Sequence, residues 1–142
     1  MSSILDMEQT LEEAFPDIDP GVTPYGGRVV VQMRAVKEKV TSAGIYIPEE
    51  IKETEKWNNM CAKVISIGPL AFRNRETMTL WPEGTWAQAG DFVRVPKWGG
   101  DRWECDFTDD KGIEGKSLFA IFNDHELIGK VTVDPRAIKA FI

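Results

Sequence analysis

The chain of 142 residues carries 17 basic and 23 acidic residues, a net charge of −6, and 42% hydrophobic residues, which suits one compact domain with appendages. Six of the acids (Asp6, Glu8, Glu12, Glu13, Asp17 and Asp19) fall in residues 1–20, where no base stands, so the remaining 17 acids balance the 17 bases and leave no electrostatic footprint for nucleic acid. No apolar run approaches the roughly 20 residues a membrane helix needs, so no helical span is implied.

The N-terminus, Met1-Ser2-Ser3-Ile4-Leu5-Asp6, lacks a basic region ahead of an apolar stretch, and no secretory signal is expected. Ser3 to Phe15 reads as a short helix: Ile4, Leu11 and Phe15 share a face with Met7 close by, and Ser3 with Asp6 takes the positions of a capping box. Pro16 to Gly21 then breaks it. The acids of this segment serve solubility, and residues 1–23 are expected to form an acidic extension.

Pro24 opens the folded body. The β-branched run Arg28-Val29-Val30-Val31-Gln32-Met33 predicts a first strand, and Cys61 to Ile67, ended by Gly68-Pro69, a second. Between them, Ser42-Ala43-Gly44-Ile45-Tyr46-Ile47-Pro48 sets three large apolar residues inside a polar segment that runs from Lys37 to Lys56. So charged a segment holds too little apolar surface to fix itself on a core, and residues 37–56 are expected to form a mobile loop. An exposed Ile-Tyr-Ile there is a liability unless a partner receives it, although the local pattern also fits a short strand whose isoleucines cap the core.

Residues 69–89 form a long insertion with Phe72, Trp81 and Trp86. Gly90-Asp91 turns into a strand at Phe92 to Pro96, and Trp98-Gly99-Gly100-Asp101-Arg102-Trp103 reads as a hairpin whose glycines supply positive φ. Ser117 to Phe122 and Leu127 to Val131 are the last predicted strands, and 132–142 a tail. Short strands punctuated by turns point to a small barrel or sandwich. Cys61 and Cys105 form no CxxC pair, and His125 is the sole histidine. A zinc site needs about four N or S ligands, so no metal is expected, and both cysteines read as the reduced thiols of a cytoplasmic protein.

The order of these segments resembles the GroES co-chaperonin family. Pro24-Tyr25-Gly26-Gly27-Arg28-Val29-Val30-Val31 follows the family's opening Pro, three residues, then Arg-Val-x-Val, with Gly27 where the family usually has Asp. Ser42-Ala43-Gly44-Ile45-Tyr46-Ile47 resembles the mobile-loop sequence Ser-Ala-Gly-Gly-Ile-Val-Leu with one Gly missing. Val64 to Gly68 approximates the family's Val-x-x-Gly, Gly90-Asp91-Phe92-Val93 its Gly-Asp-x-Val, and Glu126-Leu127-Ile128-Gly129-Lys130 its ending Asp-Ile-Leu-Ala-Ile.

The resemblance covers about 24–131. It implies a mainly β protein: a small GroES-like β-barrel with a long mobile loop, a roof-type hairpin at about 69–89 and a short N-terminal helix. It also implies a non-enzymatic co-chaperonin, with ATP on the partner chaperonin and no cofactor on this chain. The resemblance further implies that seven copies form a ring that caps a GroEL-type chaperonin cylinder and assists protein folding. Gly44, Ile45, Tyr46 and Ile47 then match the chaperonin-binding positions, and Val29, Val31, Leu127 and Ile128 the subunit interface, on the expectation that the first and last strands leave open edges. The longer insertion and the missing Gly mark a divergent member and suggest a virus-encoded one acting in host cytoplasm. The alternative is a structural β-barrel protein that reuses the fold, such as a component of a viral particle.

Other signals fail on chemistry. Gly115-Lys116-Ser117 looks like the end of a phosphate loop, but Asp110 stands where that motif needs Gly. Asp106, Asp109 and Asp110 lack calcium-loop spacing. His125 has no partnered nucleophile motif. Trp81, Trp86, Trp98 and Trp103 lack the basic groove that base stacking requires, and packing in the core or at a ring interface is expected of them.

Overall fold

The computed structural model describes residues 11–34, 60–108, 112 and 114–137. The expected mobile loop, with Gly44, Ile45, Tyr46 and Ile47, lies outside the described residues, as does most of the predicted N-terminal helix. What is described of that helix is one turn, α1 (Leu11–Ala14). Six strands follow: β1 (Arg28–Met33), β2 (Cys61–Ile67), β3 (Phe92–Arg94), β4 (Asp101–Thr108), β5 (Glu114–Asn123) and β6 (Gly129–Lys130).

All neighbouring strands are antiparallel, in the order β4-β5-β1-β2-β3-β6, so the protein is mainly β as the sequence implies. The register skips Ile65 between the pairs Val30–Ser66 and Val31–Val64, a bulge that sharpens the local twist of β1 on β2. The sheet curls around Val29, Val31 and Met33 of β1, Ala62 and Val64 of β2, Val93, and Leu118, Ala120 and Phe122 of β5. Their alternation in sequence is the two-residue period of strands with one face inward. Leu127 joins the same core.

The expected hairpin at Trp98–Trp103 is not one. Gly99 and Gly100 have the positive φ predicted for them (96° and 73°), but β3 pairs with β2 and β6, not with β4. The glycine pair instead redirects the chain from one end of the sheet to the other. Gly100 is required for a second reason: a Cβ there would lie 2.8 Å from the ring of Phe122. The hairpin partner of β4 is β5, paired from Asp101–Ile121 to Thr108–Glu114. Arg102 faces inward over the Phe122 ring at 5.6 Å and donates to the carbonyls of Pro96, Lys97 and Gly99, which fixes the turn from inside.

β1 is buried on both faces, which one curled sheet alone does not explain. Its second face is covered by residues 14–20. Phe15 packs edge-on against Phe92 with ring centroids 5.0 Å apart, and Gln32 Nε2 donates to the Pro16 carbonyl and to Ser117 Oγ. Trp103, stacked on Phe119, donates its indole N–H to the Pro20 carbonyl, and Cys105 Sγ approaches the same oxygen. Burial of Phe15 contributes roughly 1.5–3 kcal/mol to this contact.

Candidate functional site

Each end of the segment expected to bind a partner is anchored on the barrel. Arg34, which follows β1, is buried and donates from Nη1 to the Arg136 carbonyl at 3.2 Å. Met60, which precedes β2, accepts the Val95 amide at its carbonyl and the Arg94 guanidinium at its sulfur. The Cys61 thiol beside it is pushed up to about 11, chiefly by burial, with Arg94 and Arg34 pulling the other way. It therefore stays protonated at neutral pH and is a packing group, not a nucleophile. Residues 35–59 thus leave and return at adjacent strand ends, where Met33 pairs with Ala62.

The expected interface residues divide. Val29 and Val31 are fully buried in the chain's own core, and β1 is hydrogen-bonded to β2 on one side and β5 on the other. The expectation that the first strand offers an open edge is therefore corrected: its pairing is used within the chain. Leu127 also points into the core, at 5% exposure, whereas Ile128 is 65% exposed. Ile128 precedes β6, which closes one end of the sheet and has no described strand on its outer side. Beside that edge opens a cleft of about 490 Å³ lined by Trp86, Glu83, Thr85, Val93, Ile128 and Lys130. Sequence reasoning missed that the 69–89 insertion supplies one wall of this cleft. The only signal was the aromatic Trp86 inside a polar stretch.

The insertion is held to the barrel by a carboxylate. Asp124, in the 3-10 turn Asp124–Glu126, accepts the buried Phe72 amide at Oδ2 (2.9 Å) and the His125 amide at Oδ1 (2.8 Å). Its own amide donates to the Gly27 carbonyl. Phe72 takes a left-handed φ of 62°, which costs a bulky residue strain that these bonds and its packing hold in place. Its ring meets Trp81 at 5.5 Å and Trp86 at 6.1 Å, and the two indoles meet at 4.8 Å. The outer part closes as a small hairpin through the Arg73–Leu80 bridge, with Asn74 Oδ1 accepting the amides of Glu76 and Thr77.

Two glycines of the sequence pattern acquire physical reasons here. A Cβ on Gly27 would stand 3.0 Å from Arg75 Nη2 and 3.1 Å from Asp124 Oδ2, so an aspartate at that position would crowd a second carboxylate against the first. A Cβ on Gly68 would overlap the Gly26 carbonyl oxygen, because the insertion crosses the start of β1 there: Gly68 N donates to Arg28 O and Leu70 N to Gly26 O.

The remaining candidates do other work. Ser117 lies within β5 and bonds Gln32, so Gly115-Lys116-Ser117 is strand and not a phosphate cradle. His125 is exposed, with Nδ1 3.5 Å from Asp124 Oδ1. Trp98 is 70% exposed beneath Lys97, unlike the packed Trp81, Trp86 and Trp103. Among the described residues no group of three or more His, Cys, Asp or Glu side chains could hold a metal ion, and no helix is long and apolar enough to cross a membrane.

The family model described as the chaperonin 10 kDa subunit matches residues 21–130. The chain belongs to the chaperonin 10 family. That family is the GroES co-chaperonin family, so a co-chaperonin role in general follows, and the family is not one of enzymes. No curated protein and no solved structure matches the chain significantly. The match takes in the whole sheet, the insertion and the glycines at 27 and 68. It leaves α1 and the segment 14–20 that covers the outer face outside.

Proposed function

We propose that this chaperonin 10 family member forms a ring, seven-membered by family resemblance, that caps an ATP-loaded GroEL-type chaperonin in the cytoplasm and assists protein folding. The observation that carries this reading is the family match across the whole sheet, 21–130. Ile45, Tyr46 and Ile47 enter an apolar groove on the partner, Gly44 permits the turn into them, and Pro48 limits strand extension beyond. This chain carries no catalytic residue and no nucleotide, since ATP acts on the partner.

The energetics suit a reversible cap. Burying each large side chain contributes roughly 1.5–3 kcal/mol, and ordering each loop residue costs roughly 1–2 kcal/mol. A single loop nearly breaks even, and several on one ring supply avidity. A small change at each groove on ATP hydrolysis then suffices for release.

Ring closure falls to the β6 edge. Its outer side has no described strand, Ile128 is exposed next to it, and the cleft beside it is bounded by Trp86 and Lys130. A neighbour that covers this edge removes it from solvent, as closed assemblies do. Light scattering is expected to give several times the chain mass of 16.0 kDa. Ile128→Asp, which puts a charge on that edge without touching the core, is expected to shift the mass toward that of one chain. A wild-type monomer at micromolar concentration contradicts the ring.

A further inference from the structure

The segment preceding the family match has a built seat. On the outer face of the sheet, three side-chain donors converge on a stretch of chain that offers acceptors there. Gln32 Nε2 reaches Pro16 O at 2.7 Å, and Trp103 Nε1 and Cys105 Sγ reach Pro20 O at 2.8 and 3.4 Å. Both acceptors belong to prolines, which bring a carbonyl and no N–H, so neither residue lays an unpaired amide on the sheet. The Gln32 amide is oriented by this contact, since the reverse placement would set its oxygen against the Pro16 carbonyl. Phe15 is the one aromatic anchor, 4% exposed and packed on Phe92, with Ala14 fully buried beside it. Glu12, Asp17 and Asp19 remain on the solvent side.

We propose that residues 14–20 are a strap, docked in cis and separable from the barrel, that covers the Gln32–Phe92–Trp103–Cys105–Phe119 face and limits access to the half-buried Cys105. Separability follows from the way the strap is attached. Its hold on the outer face is the Phe15 ring, the buried Ala14 methyl and the carbonyls of Pro16 and Pro20. The chain then turns at Gly21, with φ of 79° and its amide donated to Asp19 Oδ1 at 2.7 Å, and leaves the face at exposed Val22, so the strap ends in a local turn rather than in a strand of the sheet. The inward face that forms the main core contains none of the strap residues. A unit with few buried contacts opens locally before the barrel does.

The test uses the full chain with Cys61→Ala, so that Cys105 is the only thiol, and follows its alkylation by iodoacetamide together with amide exchange in β1 and β2. Phe15→Ala is expected to speed alkylation by about tenfold or more while the β1 and β2 amides stay protected. Phe15→Leu, which keeps an apolar anchor, is expected to return most of the protection. An alkylation rate unchanged by Phe15→Ala overturns the strap as the gate to Cys105. Loss of β1 and β2 protection together with the rise overturns its separability, because the segment would then be part of the cooperative core.

Discussion

Replacing Ile45 and Ile47 together by Ser is expected to abolish ATP-dependent capture by a chaperonin and to leave the melting temperature of the chain nearly unchanged. The exchange removes roughly 3–6 kcal/mol of gross apolar burial per loop. Because each loop is close to balance between burial and ordering, the deficit repeats around the ring and avidity collapses. The stability half of the expectation rests on composition, since a segment as charged as residues 37–56 has little apolar surface to lend to a core. Among the described residues the core is filled from β1, β2, β3, β5, the insertion and Leu127, with Phe122, Phe72, Met33 and Leu118 among its largest members. If Ile45 and Ile47 instead cap that core, their conversion to Ser would lower stability by several kcal/mol through cavities and unpaired hydroxyls. Thermal unfolding and co-sedimentation on one double variant separate the cases. A large drop in melting temperature contradicts the assignment of the triplet to a partner.

The second large effect is on stability. Phe72→Ala is expected to cost about 3–5 kcal/mol, a large share of the 5–15 kcal/mol typical of a domain. Phe72 is fully buried, its ring contacts both Trp81 and Trp86, and its amide is tied to Asp124. Truncation leaves a cavity between the insertion and the sheet without relieving the left-handed backbone at that position, which only Gly would ease. The shift in denaturant midpoint measures it. A loss below about 1 kcal/mol would show that the insertion packs on the barrel more loosely than these contacts require.

The strands were legible because their signals are local. Three consecutive valines in β1, the alternation in β2 and the Gly90-Asp91 turn each report the backbone they adopt. Pairing was not, because it depends on residues far apart in sequence. The Gly-Gly turn has the expected φ values, yet whether it joins hairpin partners depends on which strands β3 meets, and β2 and β6 take both its sides. Likewise, nothing local to Val29 and Val31 reveals that β1 is central in the sheet. Of the expected interface residues, only Ile128 lies exposed beside an outer strand.

The departure at Gly27 was visible, but its reason was not. The carboxylate that occupies the space beyond Gly27 comes from Asp124, close in space and distant in sequence. The role of residues 14–20 had one clue, the amide of Gln32 in an otherwise apolar run, which marks a position whose outer neighbour must be polar backbone. The assignment of Ile45–Ile47 to a partner rests on composition and resemblance, and the triplet lies outside the described residues.

The most direct test of the co-chaperonin reading is co-sedimentation of the wild-type chain with a GroEL-type chaperonin cylinder, with and without ATP. The account predicts that the chain travels with the cylinder when ATP is present and remains in the supernatant when it is absent. A chain that stays in the supernatant in both conditions, or that pellets equally in both, contradicts it.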